Sequence, residues 1–387
     1  MHFLSIVSTV VFDPTLSGQL LVSLLVVVGL LFGLHVRGAR RRLHRASERV
    51  LILGDSPLGR QVVDEIERRP HRRCAIVDVL DSAQHLGSAI EATRPDRIVI
   101  ALPERRGRLP VSRLLESRAR GIVVEDVVET YERLTGKVAL EALVPSSVIF
   151  SHNFKMSQLQ LSLSRLLSLS CSVMGLIALA PVFGLIAVVI KLGSRGPVFF
   201  VQERVGLYGR CFKLLKFRTM QPVDRPRSEW ERDNCDRITR PGRWLRRFRL
   251  DELPQLVNVL RGDMNLVGPR PHPVTNLELL IRAGHTLSEM TGDPIPYYSL
   301  RCSVRPGITG WAQIHYGYAN SLEEETEKIR YDFYYLKHMS FWLDVRILVQ
   351  TIKTVFSGQR PTDGHTRRRR RREVFDEPMR MRGTKTA

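Results

Sequence analysis

The chain has 387 residues, 43% of them hydrophobic, so it can build more than one core and is not an intrinsically disordered polypeptide. Its 59 Lys and Arg against 39 Asp and Glu leave a net charge of +20, which directs it toward anionic partners: nucleic acid, an acidic leaflet or phosphorylated small molecules. The five cysteines (Cys74, Cys171, Cys211, Cys235, Cys302) form no CxxC pair, which argues against a disulfide framework or a zinc site.

Residues 17–36 carry no charge and have the length, about 20 residues, that a bilayer-spanning helix needs. Met1 to Leu16 lack the basic start of a signal peptide, whereas Arg37, Arg40, Arg41, Arg42 and Arg45 follow directly. The positive-inside rule then places the N-terminus outside and the chain after Arg37 in the cytosol. Residues 1–47 are read as this helix and its basic flank.

Residues 48–148 alternate short apolar runs with amphipathic stretches, the pattern of an α/β unit with a parallel sheet. RVLILGDSPLGRQVVDEIERR (Arg49 to Arg69) predicts a strand, a glycine turn and a helix; CAIVDVLD and DRIVIALPE supply further strands. The turn Gly54-Asp-Ser-Pro-Leu-Gly59 matches a dinucleotide fingerprint except at Ser56, and Asp78 falls near the expected ribose-binding acid. A Cβ at Ser56 weakens the match because the missing glycine is the one that lets backbone approach a pyrophosphate.

Leu166 to Ile190 forms a second uncharged apolar segment within a linker and membrane region at 149–195. Lys155 and Arg165 precede it, and Lys191 and Arg195 follow. Cations on both flanks favour a helix that enters and leaves by one face, with Pro181 supplying the bend; a kinked spanning helix is the alternative. Later, Phe333 to Phe356 mixes aromatic, aliphatic and basic residues as a helix in a headgroup plane does, though an ordinary packed helix fits too. The tail 359–387, with six arginines from Arg367 to Arg372, reads as solvated and suited to an anionic leaflet.

In RPGRWLRRFRLDELPQLVNVLRG (Arg240 to Gly262), Leu253, Leu256, Val257 and Leu260 mark one face of a short helix. Pro254 suits its first turn and Gly262 its end, so Asp251 and Glu252 stand at its N-terminus behind a collar of Arg240, Arg243, Arg246, Arg247 and Arg249. QERVG, FKLLKFRTM, GDMNLVGPRP and VRPGITGWAQ each set a rigid turn beside a cation, which suits phosphate binding.

These motifs, in this order with LDELPQ, NVLRGDM and a late YD-x-YY-x-K, resemble the bacterial sugar transferase family, the monotopic phosphoglycosyl transferases. The preceding membrane helix and Rossmann-like domain are similar to its larger exopolysaccharide-type members. The resemblance implies a mainly α-helical catalytic domain at 196–358 that transfers sugar-1-phosphate from a UDP-sugar to undecaprenyl phosphate, releasing UMP. It implies Asp251 as nucleophile, forming an aspartyl phosphosugar, Glu252 as the second catalytic acid, and Mg²⁺ close to Asp251. Lys216, Arg218 and Arg246 match cationic substrate-binding positions; Gly268, Pro269, Arg270 and Pro271 form a turn used near the uridine. It also implies a re-entrant membrane helix broken at Pro181, where Ala180 stands in place of the serine of small members. The site would then lie on the cytosolic face of a bacterial inner membrane, among anionic lipids, in a chain that initiates exopolysaccharide synthesis. Homo-oligomer formation is left open. A membrane-anchored nucleotide-binding oxidoreductase or sensor would explain Gly54, Gly59 and Asp78 but leave the second half without a purpose. No helix-turn-helix, zinc or RNA-binding motif supports a nucleic-acid partner.

Overall fold

A computed structural model describes residues 47–68, 74–104, 109–143, 157–221, 236–274, 298–317 and 322–357. The expected N-terminal helix and the arginine-rich tail lie outside the described residues. The chain divides into two compact units, one running to Thr130 and the other starting at Tyr131.

In the first unit, the run ERVLIL forms strand β1 (Glu48–Leu53), whose last four residues are buried. Helix α1 (Pro57–Arg68) and strand β2 (Cys74–Leu80) follow, then α2 (Leu86–Thr93), β3 (Arg97–Ile100), α3 (Val111–Ala119) and β4 (Val123–Asp126). The four strands are all parallel in the order β2-β1-β3-β4, as crossover helices require. Leu51, Leu53, Ile98 and Ile100 of the central strands pack on Leu86, Ile90 and Leu114 of the helices.

The second unit starts within α4 (Val127–Thr135) and is dominated by α5 (Gln158–Gly193), a 36-residue helix with Pro181 inside it. It is long and apolar enough to cross a membrane, and extends beyond the predicted Leu166–Ile190 at both ends. One narrow seam of α5 rests on the rest of the unit. Ser164, Ser168 and Ser172 are buried in its first half, Ile186 and Ile190 in its second. Leu266 N–H donates to Ser168 Oγ at 3.0 Å and Arg165 Nη1 to the Met264 carbonyl at 2.9 Å, while Ile186 and Ile190 pack with Phe217 and Leu245. The opposite face leaves Leu159, Leu166, Ile177, Leu185, Val188 and Leu192 exposed.

Beyond α5, strands β5 (Phe199–Val205) and β6 (Cys211–Phe217) form an antiparallel hairpin. Helix α6 (Arg240–Arg247), a single 3₁₀ turn (Leu250–Glu252) and α7 (Gln255–Arg261) carry the arginine collar and the acidic pair. Strand β7 (Asn265–Val267) pairs in parallel with β8 (Gly307–Thr309), and the short α8 (Tyr298–Arg301) lies between them in sequence. Helices α9 (Trp311–His315), α10 (Leu322–His338) and α11 (Phe341–Ser357) complete the unit, which is therefore helical with two small sheets.

The Phe333–Phe356 stretch is not one helix but the end of α10 and most of α11. Phe333 and Tyr335 are fully buried, so α10 is a packed helix, whereas Trp342, Ile352 and Phe356 of α11 are exposed. Val138 and Leu140 join Ile329, Phe333 and Leu336 in one core, and Lys337 grips the buried Glu132 at 2.8 Å.

Candidate active site

The turn bearing the acids is fixed from three directions. Thr239 caps α6 by accepting from Gly242 N–H at 3.0 Å, with Pro241 in the first turn, where its missing N–H is not needed. Arg249 then adopts a left-handed conformation, φ 53°, and turns the chain into the 3₁₀ segment. For a residue with a Cβ this conformation is strained, and here it aims the next two carboxylates inward. Asp251 and Glu252 are both buried, at 9% and 5% exposure.

Asn258 on α7 sets the third direction. It is fully buried, its amide donates to the Lys213 carbonyl at 2.8 Å, and its Oδ1 accepts Leu215 N–H at 3.0 Å. That side chain ties the helix after the acids to the strand that carries Lys216. Gly262, φ 96°, ends α7 as expected.

Glu252 is the focus of the cations. Arg270 Nη2 donates to Glu252 Oε1 at 2.7 Å, Lys216 Nζ stands 3.9 Å from the same atom, and Arg249 Nη1 lies 4.0 Å from Oε2. Burial opposes ionisation, but Arg270, Lys216 and Arg249 together hold the Glu252 carboxyl down to about 2. For Asp251 the balance reverses: burial and the neighbouring Glu252 charge push its carboxyl up to about 6, against the pull of Lys216, Arg246 and Arg270. Burial, with the Arg270 charge beside it, lowers Lys216 to about 7. Two adjacent acids thus stand in opposite states of proton affinity, the condition for separate chemical roles.

Gly268 to Pro271 form the third wall. Gly268 N–H donates to the Thr309 carbonyl at 3.0 Å and Gly307 N–H to the Pro269 carbonyl at 2.9 Å, so the two motifs GPRP and RPGITG clasp each other. A Cβ on Gly268 would lie 2.5 Å from the Arg305 carbonyl oxygen, which is why the backbones approach so closely only with glycine.

Of the residues singled out from sequence, Lys216, Asp251, Glu252 and Arg270 converge here, with Arg246 near enough to act on Asp251 by charge. Arg246 Nε also donates to Thr219 Oγ1 at 2.9 Å. Arg218 sits elsewhere: its guanidinium is buried against the exit of α5, donating to the Ser194 carbonyl and Oγ and to the Arg195 carbonyl at 2.8 to 3.0 Å. Strand β6 ends at Phe217, so Arg218 lies past the alternation that would have kept it on the face of Lys216. In the first unit, Gly54 has φ 106° and Gly59 packs on Ala101, as a tight turn requires. Ser56 Oγ accepts the Gly59 N–H at 3.0 Å, taking a donor of the first turn of α1 that a pyrophosphate would use. Asp78 lies within β2, opposite Leu51, rather than at the strand's C-terminal edge. The motif NVLRGDM includes Asn258 but gave it no role, and the collar gave Arg249 no partner.

The bacterial sugar transferase family model matches residues 159–358, a stretch that contains every element of this site. The chain belongs to the bacterial sugar transferase family. Among characterised relatives, it is 38% identical over 238 residues to the UDP-N-acetylgalactosamine-undecaprenyl-phosphate N-acetylgalactosaminephosphotransferase of Aeromonas hydrophila, covering 61% of this chain and 53% of that protein. It is 35% identical over 338 residues to the undecaprenyl-phosphate glucose phosphotransferase of Komagataeibacter xylinus, covering 83% and 60%. To the UDP-glucose:undecaprenyl-phosphate glucose-1-phosphate transferase of Escherichia coli strain K12 it is 30% identical over 322 residues, covering 78% and 66%. The chain therefore spans between about half and two thirds of the length of these relatives. Within the matched stretch of this chain the Asp-Glu pair and the GPRP turn meet through Glu252 and Arg270.

Proposed function

We propose that this bacterial sugar transferase moves sugar-1-phosphate from a UDP-sugar to undecaprenyl phosphate. The observation that carries the reading is the divided dyad: a buried Asp251, its carboxyl pushed up to about 6, beside a Glu252 gripped by Arg270 with Lys216 and Arg249 close by. Relatives named for transfer to undecaprenyl phosphate support the acceptor. Their names differ in the sugar, N-acetylgalactosamine in one and glucose in the other.

In the first step an Asp251 carboxylate oxygen attacks the β-phosphorus of the donor. The bond from that phosphorus to the bridging oxygen breaks, and UMP departs with the electron pair. An acyl phosphate results, and splitting one displacement into two lets each anion meet the site separately. In the second step an oxygen of undecaprenyl phosphate attacks the same phosphorus, releasing Asp251 and a lipid diphosphosugar. Lys216, Arg246 and Arg270 bear on the charge that moves between phosphate oxygens, and Glu252 orients the acceptor phosphate or takes its proton.

Mg²⁺ fits these residues through Asp251. Among the described residues no group of three metal-binding side chains converges, and Glu252 is engaged by Arg270, so Asp251 is the carboxylate of the pair that would hold the ion. A hard cation that keeps most of its coordination for water and substrate phosphates suits a single carboxylate. When bound it would neutralise diphosphate charge.

The bilayer enters through α5. Its first and second halves rest on the same body, through Arg165 and Ser168 at one end and Ile190 at the other, while the outer face is apolar. A helix whose two ends both touch one body supports entry and return on a single face; α5 runs as one helix through Pro181, and the missing N–H there makes it the position at which we place the bend. We place that face toward the cytosol, where a nucleotide sugar is available. The test is purified protein with UDP-sugars, Mg²⁺ and undecaprenyl phosphate. UMP release with a phosphosugar adduct on Asp251 in the absence of acceptor is expected; UMP formation that needs both substrates together, with no adduct, overturns the two-step reading.

A further inference from the structure

The YD-x-YY-x-K motif lies on α10, outside the acidic turn, and its Asp332 is 3% exposed. Asp332 Oδ2 accepts from Arg301 Nε at 2.7 Å, and Arg301 is itself 5% exposed. Arg301 spends the rest of its fork elsewhere: Nη2 donates to the backbone carbonyl of Arg270, and Nη1 reaches Tyr298 Oη at 3.4 Å.

Three successive carbonyls of the site loop are thereby occupied. Arg301 takes that of Arg270, Arg204 Nη1 takes that of Pro271 at 2.9 Å, and Val205 N–H takes that of His272 at 3.0 Å. Pro269 and Pro271 flank Arg270 and fix their own φ angles. Helix α10 holds the loop a second time, seven residues earlier, because Glu325 Oε2 lies 3.3 Å from His272 Nε2 while His272 Nδ1 meets Tyr298 Oη at 2.7 Å. The Arg270 side chain therefore emerges from a strut with little backbone freedom, and its guanidinium arrives on Glu252.

A buried ion pair is a poor source of stability, since desolvation consumes most of the Coulombic gain and an apolar pair of similar volume is often as stable. What it supplies is direction: two donors of one planar guanidinium fix a carboxylate and a carbonyl relative to each other. We infer that Asp332 and Arg301 are a positioning pair that sets Arg270 against Glu252 and the donor diphosphate. The inference deepens the proposed function and rests on it. Neither residue touches substrate; each acts through Arg270.

The experiment is steady-state kinetics of donor consumption by the full chain in lipid nanodiscs, with thermal unfolding of each variant recorded. Arg301→Lys keeps the charge beside Asp332 but cannot serve both acceptors, and Asp332→Glu keeps the charge with a displaced carboxylate; both avoid an unpaired buried ion. Each is expected to fold and to lose about tenfold to a hundredfold in kcat/KM, with KM for the UDP-sugar raised. The same substitutions are then made in an Arg270→Ala background, where they should change kcat/KM by less than about twofold because the residue they position is already gone. Equal losses in both backgrounds, or an unchanged KM with activity falling only as the folded fraction falls, would show a purely structural pair. Wild-type protein that releases no UMP from any UDP-sugar would sink the proposed function instead, so the two failures are distinguishable.

Discussion

Arg270 Nη2 and Glu252 Oε1 meet at 2.7 Å across 18 positions of sequence, while Asp251, adjacent to Glu252, makes no ion pair among the described residues. With Lys216 and Arg249, Arg270 holds the Glu252 carboxyl low, while burial, with the Glu252 charge beside it, raises the proton affinity of Asp251. An acid that is easily neutralised but ionisable near neutrality is a usable nucleophile.

Asp251→Asn is expected to retain less than about 1% of UMP release, because an amide cannot form the acyl phosphate. Intact-protein mass spectrometry with donor alone should show the adduct in wild type and none in the variant. Turnover near wild-type levels would remove Asp251 from the chemistry.

The rate of donor consumption should depend on pH on both sides of neutrality. Asp251 must be ionised to attack, so the rate rises as pH passes its value of about 6; Lys216 must be charged to hold phosphate, so the rate falls as pH passes about 7. Single-turnover measurements between about pH 5 and pH 9 give the profile, and one flat across that range contradicts the assignment.

Gly307→Ala tests the clasp between the two motifs. Its Cβ would fall 2.1 Å from Gly268 N and 2.4 Å from the Thr309 carbonyl oxygen, both backbone atoms that cannot rotate away. A loss of about 3 kcal/mol or more is expected, with UMP release lost in parallel. A thermal midpoint unchanged from wild type is the contrary result.

Asp344→Asn should stabilise the protein at alkaline pH. Asp344 is 1% exposed, accepts from Tyr335 Oη at 2.8 Å, and is pushed by burial up to about 6. A carboxyl raised above its unfolded value adds stability below that unfolded value, and the contribution is lost as pH rises through 6. The amide carries no such penalty, so at pH 8 the variant should gain up to about 3 kcal/mol, and at pH 4 little. A lower thermal midpoint than wild type at pH 8 shows instead that the ionised carboxylate is needed.

Much of this site was legible because its signals are local. Pro254 and Gly262 bracket α7, and the acids follow from their place just ahead of it, but of the predicted stripe Leu253, Leu256, Val257 and Leu260 only Leu256 is buried: the packed face is Gln255, Leu256, Asn258 and Val259, and Leu260 is exposed. Parallel βα alternation likewise predicts three strands of the sheet, to which the structure adds the short β4. Arg218 misled for the same reason: a lysine and an arginine two apart look alike in a motif, but the strand end turns one toward Glu252 and the other into the exit of α5. Asn258 opens the NVLRGDM motif, but its role was hidden, since an asparagine within a helical run resembles a surface residue until β6 is laid against it.

The order of apolar, basic and glycine-bearing segments along the chain was enough to determine the element types, the apolar α5 and the candidate dyad, because helix periodicity, chain reversal and hydrophobic length depend on neighbours in sequence. Which acid is held by cations, which arginine faces it, and what Asp332 grips were decided only by tertiary packing. Glu252 with Arg270, and Arg301 with Asp332, lie 18 and 31 residues apart, and burial multiplies the force between such groups in a way no linear spacing encodes.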